Sequence, residues 1–310
     1  MSIAFSPAGT PSRARIIVCI AAVVACLPYA ALKIAWIAGS DIGTADADAA
    51  ALMHETTTVV GNAITLSMEL GAVAIVAALT FVRRIPSLLV VGPIWLGTGL
   101  LAPVVVGLPL GLVIQAVAGG APAPGDSGLH GWVFAVVYGG FIIQAPLLFG
   151  AFALRAAHHW PWVFRLRAHN ITRGAAYPLQ LFIARTAIGV GALIALVYAF
   201  WTIDAETFFG PSGFDTAAQR TFLAVNGLFP LAGALGVHAL VLRRRSESLR
   251  VPLALAWVGS AAAVATAVLP LAEAERFGSF VASVGGMTGV ALAITALLVL
   301  ADTPPPDVGR

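Results

Sequence analysis

Eight long apolar windows, one after another, constrain this chain more than any motif in it. They run over 16–38, 59–82, 87–117, 131–154, 180–203, 219–242, 251–271 and 278–301. Each is long enough to cross the hydrocarbon core of a bilayer, which takes about 20 helical residues. Lipid offers backbone groups no partners, so each crossing must satisfy its own N–H and C=O groups. The alternation of a transmembrane barrel is absent, which leaves helices. Composition agrees: 59% of residues are hydrophobic and 10% charged, against about 25% charged in soluble domains. The predicted fold is an all-α polytopic transmembrane helix bundle of about eight spans.

The third window, 87–117, holds Pro93, Pro103 and Pro109. It reads as one kinked span, a span plus a re-entrant piece, or two short helices. Charge placement arbitrates. With eight crossings and a cytoplasmic N-terminus, the inner side receives Arg13, Arg15, Arg83, Arg84, Arg155, Arg165, Arg167, Arg173, Arg185, Arg243, Arg244, Arg245, Arg250 and Arg310. The outer loops receive ten acids, among them Asp41, Asp46, Asp48, Glu55 and Asp126. Splitting the third window would invert everything after it, so the positive-inside rule favours a single crossing. A bacterial plasma (inner) membrane with N- and C-termini cytoplasmic is the expected location. Arg13 and Arg15 before an apolar core suggest a signal segment, and "VVAC" at 23–26 resembles a lipoprotein box. Apolar sequence continues through "LPYAALKIAWIA", which favours a retained helix.

The two halves echo each other. Trp36 and Trp201, ending the first and fifth spans, are 165 residues apart; Asn62 and Asn226, opening the second and sixth, are 164 apart. Trp95 and Trp257 mark the next spans, and glycine pairs at 139–140 and 285–286 mark the last of each half. Four helices per half keep one orientation, so a duplication would be a 4+4 parallel internal repeat about an axis along the membrane normal. The expected organisation is a first half at 1–157, a cytoplasmic interfacial linker at 158–179, a second half at 180–301 and a Pro-rich tail at 302–310. Glu69 does not recur, because Gly233 stands at its counterpart.

Glu69, inside "LSMELGAVAIVAAL", is the most expensive residue. A mid-membrane carboxylate costs roughly 2.5–3.5 kcal/mol on insertion scales. Protonation, a partner or a wet cavity would offset that. The residue therefore reads either as a proton, cation or polar-ligand site or as a neutral acid tying helices together. Asn62 shares its face, seven residues earlier. Lys33, near the outer end of the first span, has two fates: pairing with Glu69, or the commoner snorkelling towards Asp41 and the acidic outer loop. Asn226, Gln115 and Gln144 read first as interhelical hydrogen bonds, and His238, close to the inner Arg cluster, as an interfacial histidine before a proton relay. The candidate ligand or proton site is Glu69, Asn62, Lys33, Trp36 and Asn226, with no catalytic residue assigned.

Other patterns carry less. Cys19 and Cys26 lie seven apart on one helix, about 10 Å of rise, too far for a disulfide. "HHWPWVFRLRAH" at 158–169 has three His but no acid nearby, and reads as an interfacial segment rather than a metal site. Gly285 and Gly289 form a GxxxG that packs helices or, as a minority reading, forms an oligomer face. The 39–58 loop gathers Asp41, Asp46, Asp48, His54 and Glu55, read as solvated loop acids before a weak cation site. No P-loop, GxSxG or Asp-rich inner loop is present, so no cofactor and no metal are expected. Scattered arginines without a basic stripe argue against nucleic acid.

"LPYAALKIAWIAGS" and "GWVFAVVYGGFIIQAPLLFGAFALR" resemble stretches of a family of uncharacterised multi-pass membrane proteins of actinobacteria. That resemblance covers two segments of the first half and implies fold class and source, with no activity to transfer. Three functions stand from the residues. The leading one is a transporter-like or small-ligand-binding protein, with membrane lipid and an unknown small ligand as partners. The second is an embedded enzyme acting on a lipid or isoprenoid, with Glu69 as general acid facing Trp36, Trp95 and Tyr138. The third is a non-catalytic assembly partner. The balance leans away from an enzyme.

Overall fold

The computed structural model describes residues 13–82, 87–120, 128–164, 166–167, 171–205, 207–242, 248–268 and 276–302. All eight windows are helical, as long apolar runs in lipid must be. The elements are α1 (Arg13–Ile37), α2 (Ala47–Met53), α3 (Thr56–Phe81), α4 (Ser87–Ala118), α5 (Gly131–His159), α6 (Pro161–Phe164), α7 (Tyr177–Ile203), α8 (Ala217–Leu242), α9 (Arg250–Val268) and α10 (Arg276–Ala301). Among the described residues there is no strand, only the isolated bridges Thr44–Leu129 and Arg167–Ser248. The third window is one continuous helix of 32 residues, without a re-entrant piece. Pro93, Pro103 and Pro109 lie within it.

These helices form two compact units, 1–94 with 125–159, and 95–124 with 160–310. The sequence halves place all of 1–157 together, whereas α4 from Trp95 onward packs with the second unit.

In unit 1, α3 and α5 run antiparallel to α1. On α1 the residues Cys19, Ala22, Cys26, Tyr29, Leu32 and Trp36 are buried at steps of three and four. Ile17, Ile20, Val24, Leu27 and Ile34 form the exposed stripe on the other side. That geometry is a two-sided helix whose wet or packed face and lipid face are both set by a 3.6 period. One end of the unit is apolar: Cys19, Ala22, Val76 and Ala151 interlock with Val18, Leu147 and Leu148. Beyond this plug, two arginines cap α3. Arg15 donates to the Leu79 and Thr80 carbonyls. Arg155 donates to Leu79 O at 2.6 Å and Val82 O at 3.0 Å. They supply the donors that a helix C-terminus lacks and place positive charge at its negative dipole end.

Unit 2 is held by close backbone approach. A Cβ on Gly259 would strike the backbone of Gly233, and one on Gly289 would strike Ser260, so α8, α9 and α10 touch through their glycines. The GxxxG of α10 is thus spent on packing within the chain. On the α4 side, the Trp95 indole donates to Ser260 Oγ at 3.1 Å, and the Trp257 indole donates to Thr98 Oγ1 at 3.2 Å. The exchange is reciprocal: each Trp reaches the hydroxyl three residues after the other. Gln115 takes the Ala218 N–H at 3.0 Å and gives to Gly119 O at 2.6 Å, joining the end of α4 to the start of α8.

Candidate functional site

The polar residues of unit 1 lie on one ladder between α1, α3 and α5. Successive inward positions of α1 are Cys26, Tyr29, Lys33 and Trp36; those of α3 are Asn62, Thr65 and Glu69; α5 contributes Tyr138 and Gln144. The steps on α1 and α3 are three or four residues, so one face of each helix carries its set; on α5, Gln144 is buried and Tyr138, six residues earlier, is partly exposed.

At one end of the ladder, Trp36 donates its indole N–H to Ile42 O at 2.8 Å, fixing the chain as it leaves α1. Gly43 follows at φ +86, where a side chain is strained and would collide with Val133. One rung inward, the Lys33 ammonium donates to Asn62 Oδ1 at 2.7 Å. It also lies 5.3 Å from the Tyr29 ring centroid and 5.0 Å from the Trp36 ring centroid. Two aromatic faces and an amide oxygen therefore hold this cation. The Thr65 hydroxyl lies beside the Tyr29 phenol, and Tyr29 meets Phe141 edge-on at 5.0 Å.

Glu69 ends the polar run. It is 6% exposed and lies beside Cys26 and Gln144, and the Cys26 thiol donates to Ala22 O at 3.1 Å. Its Oε1 is buried and makes no hydrogen bond to protein, and the same holds for Asn62 Nδ2. An acceptor and a donor, about 10 Å apart along α3, thus remain on the face turned towards α1 and α5. Behind Glu69 the apolar plug closes the unit.

Four sequence-predicted site residues, Glu69, Asn62, Lys33 and Trp36, come together here. The fifth, Asn226, is in unit 2, where its Nδ2 donates to Phe222 O of its own helix at 2.8 Å. Neither expectation for Lys33 holds. It pairs with Asn62, while Asp41 is taken by His54 at 2.8 Å, the one salt bridge among the described residues. Trp95 belongs to unit 2, where its indole donates to Ser260 Oγ. Sequence reading passed over Cys26, Tyr29 and Thr65 as site members. Their signal was the spacing of four (Tyr29) and seven (Cys26) residues from Lys33 and of three (Thr65) from Asn62. Among the described residues no three His, Cys, Asp or Glu side chains gather as metal ligands. No family model, curated protein or solved structure matches this chain.

Proposed function

We propose that this multi-pass membrane protein is a transporter-like or ligand-binding protein of the bacterial inner membrane, with the unit 1 ladder as its site. The observation that carries the reading is the unpartnered Glu69 Oε1 at the blind end of a polar run. Natural interiors pair nearly all buried polar atoms, so an orphan acceptor at mid-span points to a proton or a small polar ligand that completes it. Lys33 and Asn62 stand at the other end of the run, where they favour a ligand with an acceptor facing Asn62 Nδ2 and a donor facing Glu69. The arginine-capped end of unit 1 faces the cytoplasm in this reading, as the positive-inside rule asks.

Dicyclohexylcarbodiimide, which enters from lipid and adds to protonated carboxyl groups, tests it on the full chain in detergent. Mass spectrometry should find the adduct on Glu69 in the native protein, and Glu69→Gln should retain the wild-type Tm. A Glu69 left unmodified, together with a Gln variant as unstable as Glu69→Leu, makes the residue a structural tie and ends this proposal.

A further inference from the structure

Unit 2 repeats the upper part of the unit 1 ladder, with one substitution. Trp201 clasps the outgoing chain as Trp36 does, donating to Phe208 O at 2.8 Å. Asn226 stands on α8 as Asn62 stands on α3. Three residues before each tryptophan, α1 has Lys33 and α7 has Tyr198. Where unit 1 holds an ammonium against an asparagine oxygen, unit 2 has a cleft lined by Ile194, Tyr198, Asn226, Pro230, Thr266 and Gly285. Its size suits about one water-sized occupant.

Ala263, Val281 and Ala282 complete a largely apolar lining, whose side-chain oxygens come from Tyr198, Asn226 and Thr266. Asn226 is 5% exposed and spends its Nδ2 on Phe222 O, which leaves Oδ1 for the cleft. Pro230 follows four residues later inside α8 and has no N–H to give the Asn226 main-chain carbonyl. Thr266 donates its hydroxyl proton to Ala262 O at 2.9 Å, so its oxygen lone pairs stay available. The Tyr198 ring packs on Trp201 with centroids 4.8 Å apart, an aromatic wall like that around Lys33. A carbonyl oxygen that a proline leaves without its helical N–H, with side-chain oxygens and an aromatic face beside it, is a donor set that dehydrated monovalent cations take.

We propose that this cleft binds a water-sized monovalent cation, ammonium or an alkali-metal ion, at the position where unit 1 carries its own lysine ammonium. The site is independent of Glu69. Thermal unfolding of the full chain in detergent tests it, in ammonium, sodium, potassium or choline chloride at equal ionic strength. Binding to the folded state raises Tm with the logarithm of ligand concentration. At least one small cation should do so while choline does not. Tyr198→Lys supplies a tethered ammonium and should abolish the response. Asn226→Asp adds a carboxylate and should shift its midpoint at least tenfold lower. Glu69→Gln should leave it unchanged. Equal Tm in all four salts means that the cleft holds water only and overturns the proposal. A response that survives Tyr198→Lys, an unmoved midpoint in Asn226→Asp, or a response lost with Glu69→Gln overturns it as well.

Discussion

Lys33 shows how a single side chain escaped sequence reasoning. Burying an ammonium is costly, and a lysine near a span end ordinarily reaches for water. Here the acceptor that turns it inward is on another helix, and two rings from its own helix flank its ammonium, facts that only packing reveals. Asn62→Leu removes that acceptor and should lower stability by about 1–3 kcal/mol, the cost of stranding a half-buried polar group. Chemical denaturation in a fixed detergent reads it. Arg155 was legible only as an inner-side charge. Its two bonds to the α3 carbonyls predict that Arg155→Met costs about 1.5–3 kcal/mol, the range for charge-assisted bonds. An unchanged unfolding midpoint would remove the capping role. Glu69, by contrast, announced itself, because one acid in an apolar run is visible without coordinates.

At the scale of elements, hydropathy located every span, since lipid enforces helix wherever the run is long and apolar. What it could not read is which helices touch. The apolar faces look alike in a solvent as apolar as they are, so partners are chosen by small residues and shape. Gly233 and Gly259 are the instance: their contact sets the α8–α9 spacing. Gly259→Val should therefore cost about 1–3 kcal/mol through overpacking, seen as lower Tm and earlier proteolysis of unit 2. The same change at Gly71, whose added Cβ would meet nothing within 4 Å, should be nearly silent. The reciprocal Trp95–Ser260 and Trp257–Thr98 bonds give the sequence echo a physical form. "WLGTG" and "WVGSA" meet as equivalent partners do in a self-complementary interface.

For the whole molecule, the eight long apolar helices were legible in hydropathy, but the division of the chain was not. Counting spans by fours assigns α4 to the first half; its later part packs instead with unit 2. Fragment 160–310 expressed alone should accordingly be degraded or unstable, and co-expression of 1–159 should restore it. Equal accumulation of the lone fragment would show that α4 is dispensable there. Its 32 residues rise roughly 48 Å, against a hydrocarbon layer of about 30 Å. Even a steep tilt near 40° leaves a projection of about 37 Å, several ångströms in surplus. Either the surrounding acyl chains stretch to meet this helix or its apolar ends protrude among headgroups. The protein is thereby a gauge of membrane thickness: reconstitution into longer-chain phosphatidylcholines should raise its Tm, and short-chain lipids should lower it.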